Sequence, residues 1–209
     1  MPPRSLAELV DPAHCAVVTS EVQRGVVGER SALPELAAAA GPMIERLGVL
    51  CCAARAAGVR VIHATAARRA DAAGSNTNAR LFAAVRRSPV ALLPGSDEAQ
   101  VVAELGPEPQ DLVLTRLHGL NPMAGTDLDP VLRNLGVQTL VVTGVSVNVA
   151  VTNLVMDAVN HGYQVVVPRD AVCGIPQSYA DAVLDGTISL LATLTTVDDL
   201  VAAWSEHGS

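Results

Sequence analysis

The chain has 209 residues, of which 50% are hydrophobic and 2% aromatic, and its formal net charge is −7 at pH 7. It has no lysine, since all 14 basic residues other than histidine are arginines, so chemistry that needs a lysine Schiff base is excluded. A net negative charge and so few aromatic residues also argue against nucleic-acid binding, which needs concentrated basic side chains and stacking platforms.

Six short runs that are mostly apolar and rich in Val, Ile or Leu predict strands, because strands covered on both faces of a parallel sheet show no alternation. In chain order these are residues 16–19, 59–64, 112–115, 139–143, 164–167 and 192–195. Helical segments are predicted at residues 34–57, 78–85, 97–105, 128–135, 149–161, 177–191 and 197–205. Gly58, Gly136 and Gly162 each follow a helical segment, where a left-handed cap favours glycine.

This alternation of strands and helices predicts an α/β fold of three layers. We expect a doubly wound, mostly parallel sheet of about six strands with helices on both faces. No repeat, low-complexity linker or change in composition divides the chain, so residues 1–209 are expected to form a single domain.

The amino terminus and the cysteines indicate a cytoplasmic protein. The first residues lack the apolar run of a signal peptide, and no uncharged apolar stretch of about 18 residues could span a membrane. The four cysteines have no zinc-site or redox spacing, so we expect reduced thiols. His63 is expected to be a packed histidine, and because the five histidines are scattered we predict no metal and no cofactor.

Residues that follow the strands form the candidate active site, because ligands of such sheets bind at the carboxyl ends of the strands. The first strand leads to Glu21, the third ends at Arg116, and the fourth opens into a helix at residues 144–150. We expect the carboxylate, the cation and the backbone N–H groups of the helix start to form an anion or oxyanion site. A pair of this kind also occurs for structural reasons alone, and that alternative stays open.

The polar segment 66–77 follows the second strand and is expected to be a mobile loop over this site. It contains Arg68 and Arg69. These arginines are either solvated or part of a lid over an anionic substrate.

Nearly the whole chain, from about residue 16 to residue 196, resembles the isochorismatase-like, or cysteine hydrolase, superfamily. That superfamily includes nicotinamidases, N-carbamoyl amide hydrolases and isochorismatases. The similar segments are residues 17–23, 113–116 with 125–128, 141–145 with 157–163, and 165–171. The resemblance implies the isochorismatase-like hydrolase fold, hydrolysis of a small molecule, and a homo-oligomer.

Three substitutions stand out against the family's catalytic triad of aspartate, lysine and cysteine. The resemblance places Glu21 at the aspartate, Arg116 at the lysine and Ala150 at the cysteine. Ala150 cannot form an acyl-enzyme, and an arginine holds its protons too tightly to donate one. Thr152 is expected on another helix face, and Cys173 has no base beside it in sequence.

The resemblance also implies a set of substrate-binding residues around the triad. These are Gln23, His118, Val145, Ser146, Asn148 and Val149. Gln23 has a structural alternative, which is to hydrogen-bond loop backbone only, and Asn148 is equally a candidate helix cap.

Members similar to true isochorismatases also lack the cysteine and hydrolyse a vinyl ether without a protein nucleophile. We therefore predict a hydrolase of a small carboxylated or carbonyl-bearing molecule that works by acid/base chemistry. Glu21 is the acid or base, and Arg116 is the electrostatic anchor. The alternative is a catalytically lapsed member that binds a small ligand or serves as an assembly subunit. A filled pocket with a close Glu21–Arg116 pair favours this alternative.

Overall fold

The computed structural model describes residues 5–207. Its strands are β1 Cys15–Ser20, β2 Arg60–Ala66, β3 Leu112–Arg116, β4 Thr139–Val145, β5 Gln164–Pro168, β6 Val172–Cys173 and β7 Thr193–Thr195. Its α-helices are α1 Leu6–Leu9, α2 Pro34–Ala56, α3 Arg80–Arg87, α4 Leu128–Asn134, α5 Thr152–Asn160, α6 Gln177–Gly186 and α7 Val197–His207.

All described strands belong to one sheet, in the order β3-β2-β1-β4-β5-β7, with the short β6 also paired to β4. Every pairing between these strands is parallel. The α/β fold with a parallel sheet is therefore confirmed, with seven strands where about six were predicted. The strand order reverses between β1 and β4, and a switch of this kind opens a crevice at the carboxyl ends of the two strands.

Side chains that alternate along the strands supply two cores, one on each face of the sheet. Val17 belongs to the core that packs against α2 and α7, and Val18 belongs to the core that packs against α4, α5 and α6. This explains the mostly apolar runs of the central strands, because a strand covered on both faces favours apolar side chains on each face. The three predicted caps are also confirmed, since Gly58, Gly136 and Gly162 have φ values of +79°, +71° and +89°.

The longest helix, α2, has the length and composition of a membrane span, which the sequence had not indicated. In this fold its buried residues contribute to the core on one face of the sheet. It is the one described helix with these properties.

The predicted helix over residues 97–105 was wrong. Two short 3₁₀ turns, Asp97–Ala99 and Ala103–Leu105, stand there, and the residues between them are extended. Val101 forms an isolated antiparallel bridge with Gln23, and the N–H of Val102 donates to the carbonyl of Val22. Backbone N–H and C=O groups that would pair with each other within a helix form hydrogen bonds with the loop after β1 instead.

The other helix predictions need smaller corrections. The predicted segment 149–161 is split, because a π-helical turn, Val147–Val151, precedes α5. The predicted segment 177–191 ends early, since α6 stops at Gly186 and is followed by the 3₁₀ turn Ile188–Leu190.

Candidate active site

The carboxyl ends of β1 and β4 lie in direct contact at the switch in strand order. Ser20 pairs with Gly144, and the Ser20 hydroxyl donates to the carbonyl of Val145 at 2.9 Å. Gly144 has a φ of +94°, and a Cβ at this position would lie 2.3 Å from the carbonyl oxygen of Ser20. Glycine is required here by both the backbone conformation and the close approach of the two strands.

Glu21 follows β1 and forms an ion pair with Arg116 at the end of β3. The backbone of Glu21 is left-handed, with a φ of +55°, and its N–H donates to the carbonyl of Ala64 at 2.9 Å. Nη2 of Arg116 contacts Oε1 of Glu21, and the two side chains are 6% and 20% exposed, respectively. The structure thus brings together the carboxylate and the cation that the sequence placed on separate strands.

Arg116 has unused hydrogen-bonding capacity at this site. Its Nε lies 3.5 Å from the carbonyl oxygen of Gly119, at the limit of a hydrogen bond. Its Nη1 is buried and has no acceptor among the described residues. A buried guanidinium N–H without an acceptor is costly, so this atom is a candidate donor to a ligand oxygen.

Ala150 lies on the π-helical turn between β4 and α5 and is 3% exposed. The turn follows the cis peptide Val145–Ser146, and Val145 is fully buried. Fewer backbone N–H groups at this turn are free to bind an anion than the sequence predicted. The N–H groups of Val149 and Val151 both donate to the carbonyl of Ser146, at 3.0 and 3.1 Å, and so are not free for an anion.

Ser146 and Asn148 are partly buried on the same turn and bond to each other. The hydroxyl of Ser146 donates to Oδ1 of Asn148 at 2.7 Å. That amide oxygen packs against Gly174, where a Cβ would lie 3.2 Å from it. Asn148 therefore connects the turn to the segment that follows β6.

Nucleophilic groups near the turn lack a basic partner. The hydroxyl of Thr152 donates to the carbonyl of Val147, and those of Ser20 and Ser146 also donate to carbonyl oxygens. Cys173 pairs with Val145 and is 3% exposed. Burial raises the pKa of the Cys173 thiol, against the smaller opposing effect of the Gly174 backbone. None of these groups has the neighbouring base that activates a serine, threonine or cysteine nucleophile.

Gln23 is fully buried, and its contacts fit the structural alternative. Its Nε2 donates to the carbonyls of Ala66 and Ala99, at 2.9 and 2.8 Å, and its Oε1 accepts from the N–H of Ala66 at 2.8 Å. Both donors are used, so Gln23 joins the end of β2 to the segment 97–105. His118 lies exposed on the loop after β3, with its ring near Gly125.

The loop after β2 is attached to the loop that carries Arg116. The N–H of Ala67 donates to the carbonyl of Arg116 at 2.9 Å, and the N–H of Gly119 donates to Oδ1 of Asn76 at 2.8 Å. Sequence reasoning identified this loop from its polar composition but did not identify Asn76 or Ser75. Neither residue carries a sequence signal that separates it from ordinary loop residues.

His63 lies in a buried polar network on the α2 face of the sheet. Its Nδ1 lies 2.8 Å from Oγ1 of Thr19, and its Nε2 lies 3.4 Å from Asp111, which also binds Arg55. Burial lowers the pKa of His63 more strongly than Asp111 raises it. His63 is therefore packed, as the sequence indicated, and its contacts give it a structural role. Among residues 5–207 no group of three or more His, Cys, Asp or Glu side chains could hold a metal ion.

Two cavities lie away from the ion pair. One of about 560 Å³ is lined by the carboxyl end of α2, the residues before β1, and α7, including Trp204. The other, of about 320 Å³, is lined by Thr77, Ala83, Arg86 and Arg87. Neither is lined by Glu21 or Arg116.

Comparison with known proteins gives a match of the isochorismatase domain family to residues 15–199. A protein of Pseudomonas savastanoi pv. phaseolicola (strain 1448A / Race 6), named ureidoacrylate amidohydrolase RutB, is 30% identical in an alignment of 180 positions that covers 80% of this chain and 73% of that protein. A protein of the same name from Enterobacter sp. (strain 638) is 28% identical and covers 98% of this chain and 95% of its own length.

Solved structures agree with these matches. An isochorismatase family protein from Burkholderia thailandensis is 27% identical and superposes with a TM-score of 0.76 over 92% of this chain and 96% of that chain. A cysteine hydrolase from Pseudomonas syringae pv. phaseolicola 1448A shares the fold, with a TM-score of 0.80 over 99% of both chains at 22% identity. The domain match spans all three strand ends that form the candidate site.

Proposed function

We propose, from the premise that this chain belongs to the isochorismatase family, that it is a hydrolase of a small carbonyl-bearing molecule. In this proposal water adds to the carbonyl carbon, and no covalent intermediate forms between the enzyme and the substrate. The hydrolase class follows from the family. The route without a protein nucleophile, the roles of the residues and the substrate are the finer parts of the proposal.

The Glu21–Arg116 ion pair at the switch in strand order carries this proposal. In the ion pair Glu21 is a carboxylate, which is the form that accepts a proton from water. Its side chain is 20% exposed, so water reaches it. The acyl-enzyme route lacks support, because Ala150 has no nucleophile and the hydroxyls nearby donate to carbonyl oxygens.

Each residue then has a defined role in the reaction. Glu21 accepts a proton from water as the water oxygen bonds to the substrate's carbonyl carbon. Arg116 stabilises the negative charge that develops on the carbonyl oxygen, and its buried Nη1 is the candidate donor. The C–N bond then breaks, and the proton held by Glu21 passes to the leaving nitrogen, which restores the carboxylate. We choose a C–N bond because relatives about 30% identical are named ureidoacrylate amidohydrolases.

A glutamine substitution at position 21 tests the proposed base. We expect the wild type to hydrolyse a member of a panel containing ureidoacrylate, nicotinamide, small amides and isochorismate. Glu21→Gln should lower kcat by about 10²–10⁴-fold, the usual contribution of a general base. The matched control is Glu45→Gln, because Glu45 is exposed in the middle of α2, away from the carboxyl ends of the strands. Equal turnover in wild type and Glu21→Gln would contradict the proposal.

Position 150 separates the two hydrolytic routes. Ala150→Cys should leave the wild-type rate unraised, because the proposed route uses water and no protein thiol. Turnover that appears only in Ala150→Cys and is lost on thiol alkylation would instead indicate an ancestral amidase that has lost its nucleophile.

A second candidate function is small-ligand binding or an assembly role without catalysis. The close contact of Arg116 with Glu21 favours this candidate, because the guanidinium already binds the carboxylate that would act as the base. No turnover on the panel, together with measurable binding of a panel member in calorimetry, would favour this candidate over the hydrolase.

A further inference from the structure

Charge is distributed unevenly along this chain, and the loop after β2 lies in its most basic part. Residues 66–95 contain five arginines and a single acidic residue, Asp71, in a chain whose net charge is −7. This segment begins where β2 ends and runs beside the loop of Arg116. A local excess of cations in an acidic protein attracts anionic ligands to that side of the molecule.

Two neighbouring arginines in this segment differ in their contacts. Arg69 is exposed, and its guanidinium binds both carboxylate oxygens of Asp71, at 2.9 and 2.8 Å. Arg68 is partly buried, and its Nε is inaccessible to solvent and has no acceptor among the described residues. A charged donor without an acceptor is destabilising in the free protein, so Arg68 is the arginine with a reason to bind something else.

Ser75 adds a second buried donor on the same loop. Its hydroxyl is inaccessible to solvent and has no partner in the described part of the chain. Asn76, the next residue, accepts from the N–H of Gly119, and the N–H of Arg68 donates to the carbonyl of Leu92 at 2.8 Å. Hydrogen bonds therefore join the backbone of Arg68 to Leu92 and the residue after Ser75 to the loop that follows Arg116, while Nε of Arg68 and the hydroxyl of Ser75 have no partner among the described residues.

We propose that Arg68, assisted by Ser75, determines the specificity of the site for substrates that carry a carboxylate apart from the bond that is cleaved. A guanidinium matches the two oxygens of a carboxylate, and a hydroxyl provides one further donor. Arg116 then acts on the carbonyl oxygen and Arg68 on the carboxylate. This inference rests on the proposed function, because it names the substrate class of the same site.

Binding of a matched pair of ligands tests this role. N-carbamoyl-β-alanine is a small ureido acid, and its terminal amide is a neutral compound of nearly the same shape. In calorimetric titrations the wild type should bind the acid at least about tenfold more tightly than the amide, as expected for one charge-assisted hydrogen bond. Arg68→Gln should remove this preference, because it should weaken binding of the acid and leave binding of the amide unchanged. Ser75→Ala should reduce the preference by a smaller factor.

Arg69→Gln is the matched control, because it removes the same charge from the adjacent, exposed position. It should leave the preference for the acid unchanged. Melting temperatures of all variants establish that they fold, and Arg68→Lys, which keeps the charge without the planar fork, should retain part of the preference. If Arg68→Gln does not fold, Arg68→Lys and Ser75→Ala still decide the outcome.

Three results would overturn the inference. They are no binding of the acid to the wild type, equal affinity of the wild type for acid and amide, or a loss of preference for the acid in Arg69→Gln as large as that in Arg68→Gln. Parallel measurement of hydrolysis separates this inference from the proposed function. Arg68-dependent binding without hydrolysis of any panel member would overturn the proposed function only. Hydrolysis of the acid with Arg68-independent binding would overturn this inference only.

Discussion

Ala150 occupies the position where related sequences are expected to carry a nucleophilic cysteine, and its methyl group is 3% exposed on the turn before α5. The chain retains four cysteines elsewhere. Burial, which is the largest influence, raises the pKa of both Cys15 and Cys51 to about 12, and Cys173 is also buried. Thiols of this kind are inert, because the thiolate is the reactive form.

Thiol reactivity provides a prediction at this scale. In the native protein a thiol reagent should modify Cys52, which is exposed, and should leave Cys173 unmodified until the protein unfolds. Cys173→Ser should leave hydrolysis within about twofold of wild type, since the proposed route uses water. Mass spectrometry of labelled peptides and initial rates check both statements. Modification of Cys173 that proceeds in step with loss of activity would contradict the water route.

Among the elements, the junction of β1 with β4 constrains the site most strongly. Gly144 allows the ends of β1 and β4 to approach each other, because its lack of a side chain leaves room for Ser20. Glu21, which forms the ion pair with Arg116, directly follows Ser20. The 3₁₀ turns of the segment 97–105 add a second constraint, because their backbone binds the loop after β1. The site is therefore positioned mainly by backbone contacts between loops.

Alanine at position 144 is predicted to destabilise the protein strongly. Gly144→Ala would place a Cβ 2.3 Å from a backbone oxygen at a φ of +94°, and we expect a loss of at least about 2 kcal/mol in the free energy of unfolding. Gly186→Ala is the control, since a Cβ at Gly186, the last residue of α6, would meet nothing within 4 Å. That change should stabilise the protein by up to about 1 kcal/mol. Urea unfolding measures both, and similar stability of the two variants would contradict the steric argument.

For the molecule as a whole, the buried network of His63 connects the sheet to α2. Arg55 of α2 binds Asp111 at 2.7 Å, and Asp111 lies 3.4 Å from His63 of β2. Burial raises the pKa of Asp111, but the bonds from Arg55 and from the Glu108 N–H outweigh this and hold it below its usual value of 3.8. Asp111 therefore stays ionised at mildly acidic pH, and His63 is the group in the network whose protonation there differs between the folded and the unfolded chain.

This network predicts a loss of stability on mild acidification. The pKa of His63 is lowered below 6.5 in the folded protein, so as the pH falls through 6.5 the unfolded chain takes up a proton that the folded chain does not. Between pH 7.5 and pH 5.5 this contribution is up to about 1.4 kcal/mol. His63→Gln should therefore lose less stability over this interval than the wild type.

Urea unfolding at the two pH values checks this, with His118→Gln as the control because His118 is exposed on the loop after β3. The control should keep the pH dependence of the wild type. An unchanged pH dependence in His63→Gln would show that another group is responsible.

Local sequence patterns determined the elements of this fold. Mostly apolar runs identified the six longer strands, because strands covered on both faces favour apolar side chains on each face. The ends of parallel strands share one edge of the sheet, which identified Glu21 and Arg116 as candidates, whereas the resemblance to the family identified the position of Ala150. The nature of Ala150 needed no structure, because an alanine cannot be a nucleophile in any conformation.

Only the tertiary structure decided how the backbone and side-chain donors are shared between segments distant in sequence. Gln23 is used by the backbone of Ala66 and Ala99, and the segment 97–105 is not a helix because the loop after β1 takes its hydrogen bonds. Arg68 differs from Arg69 solely in what surrounds it. Hydrogen bonds between loops depend on three-dimensional proximity, which no local pattern of residues encodes.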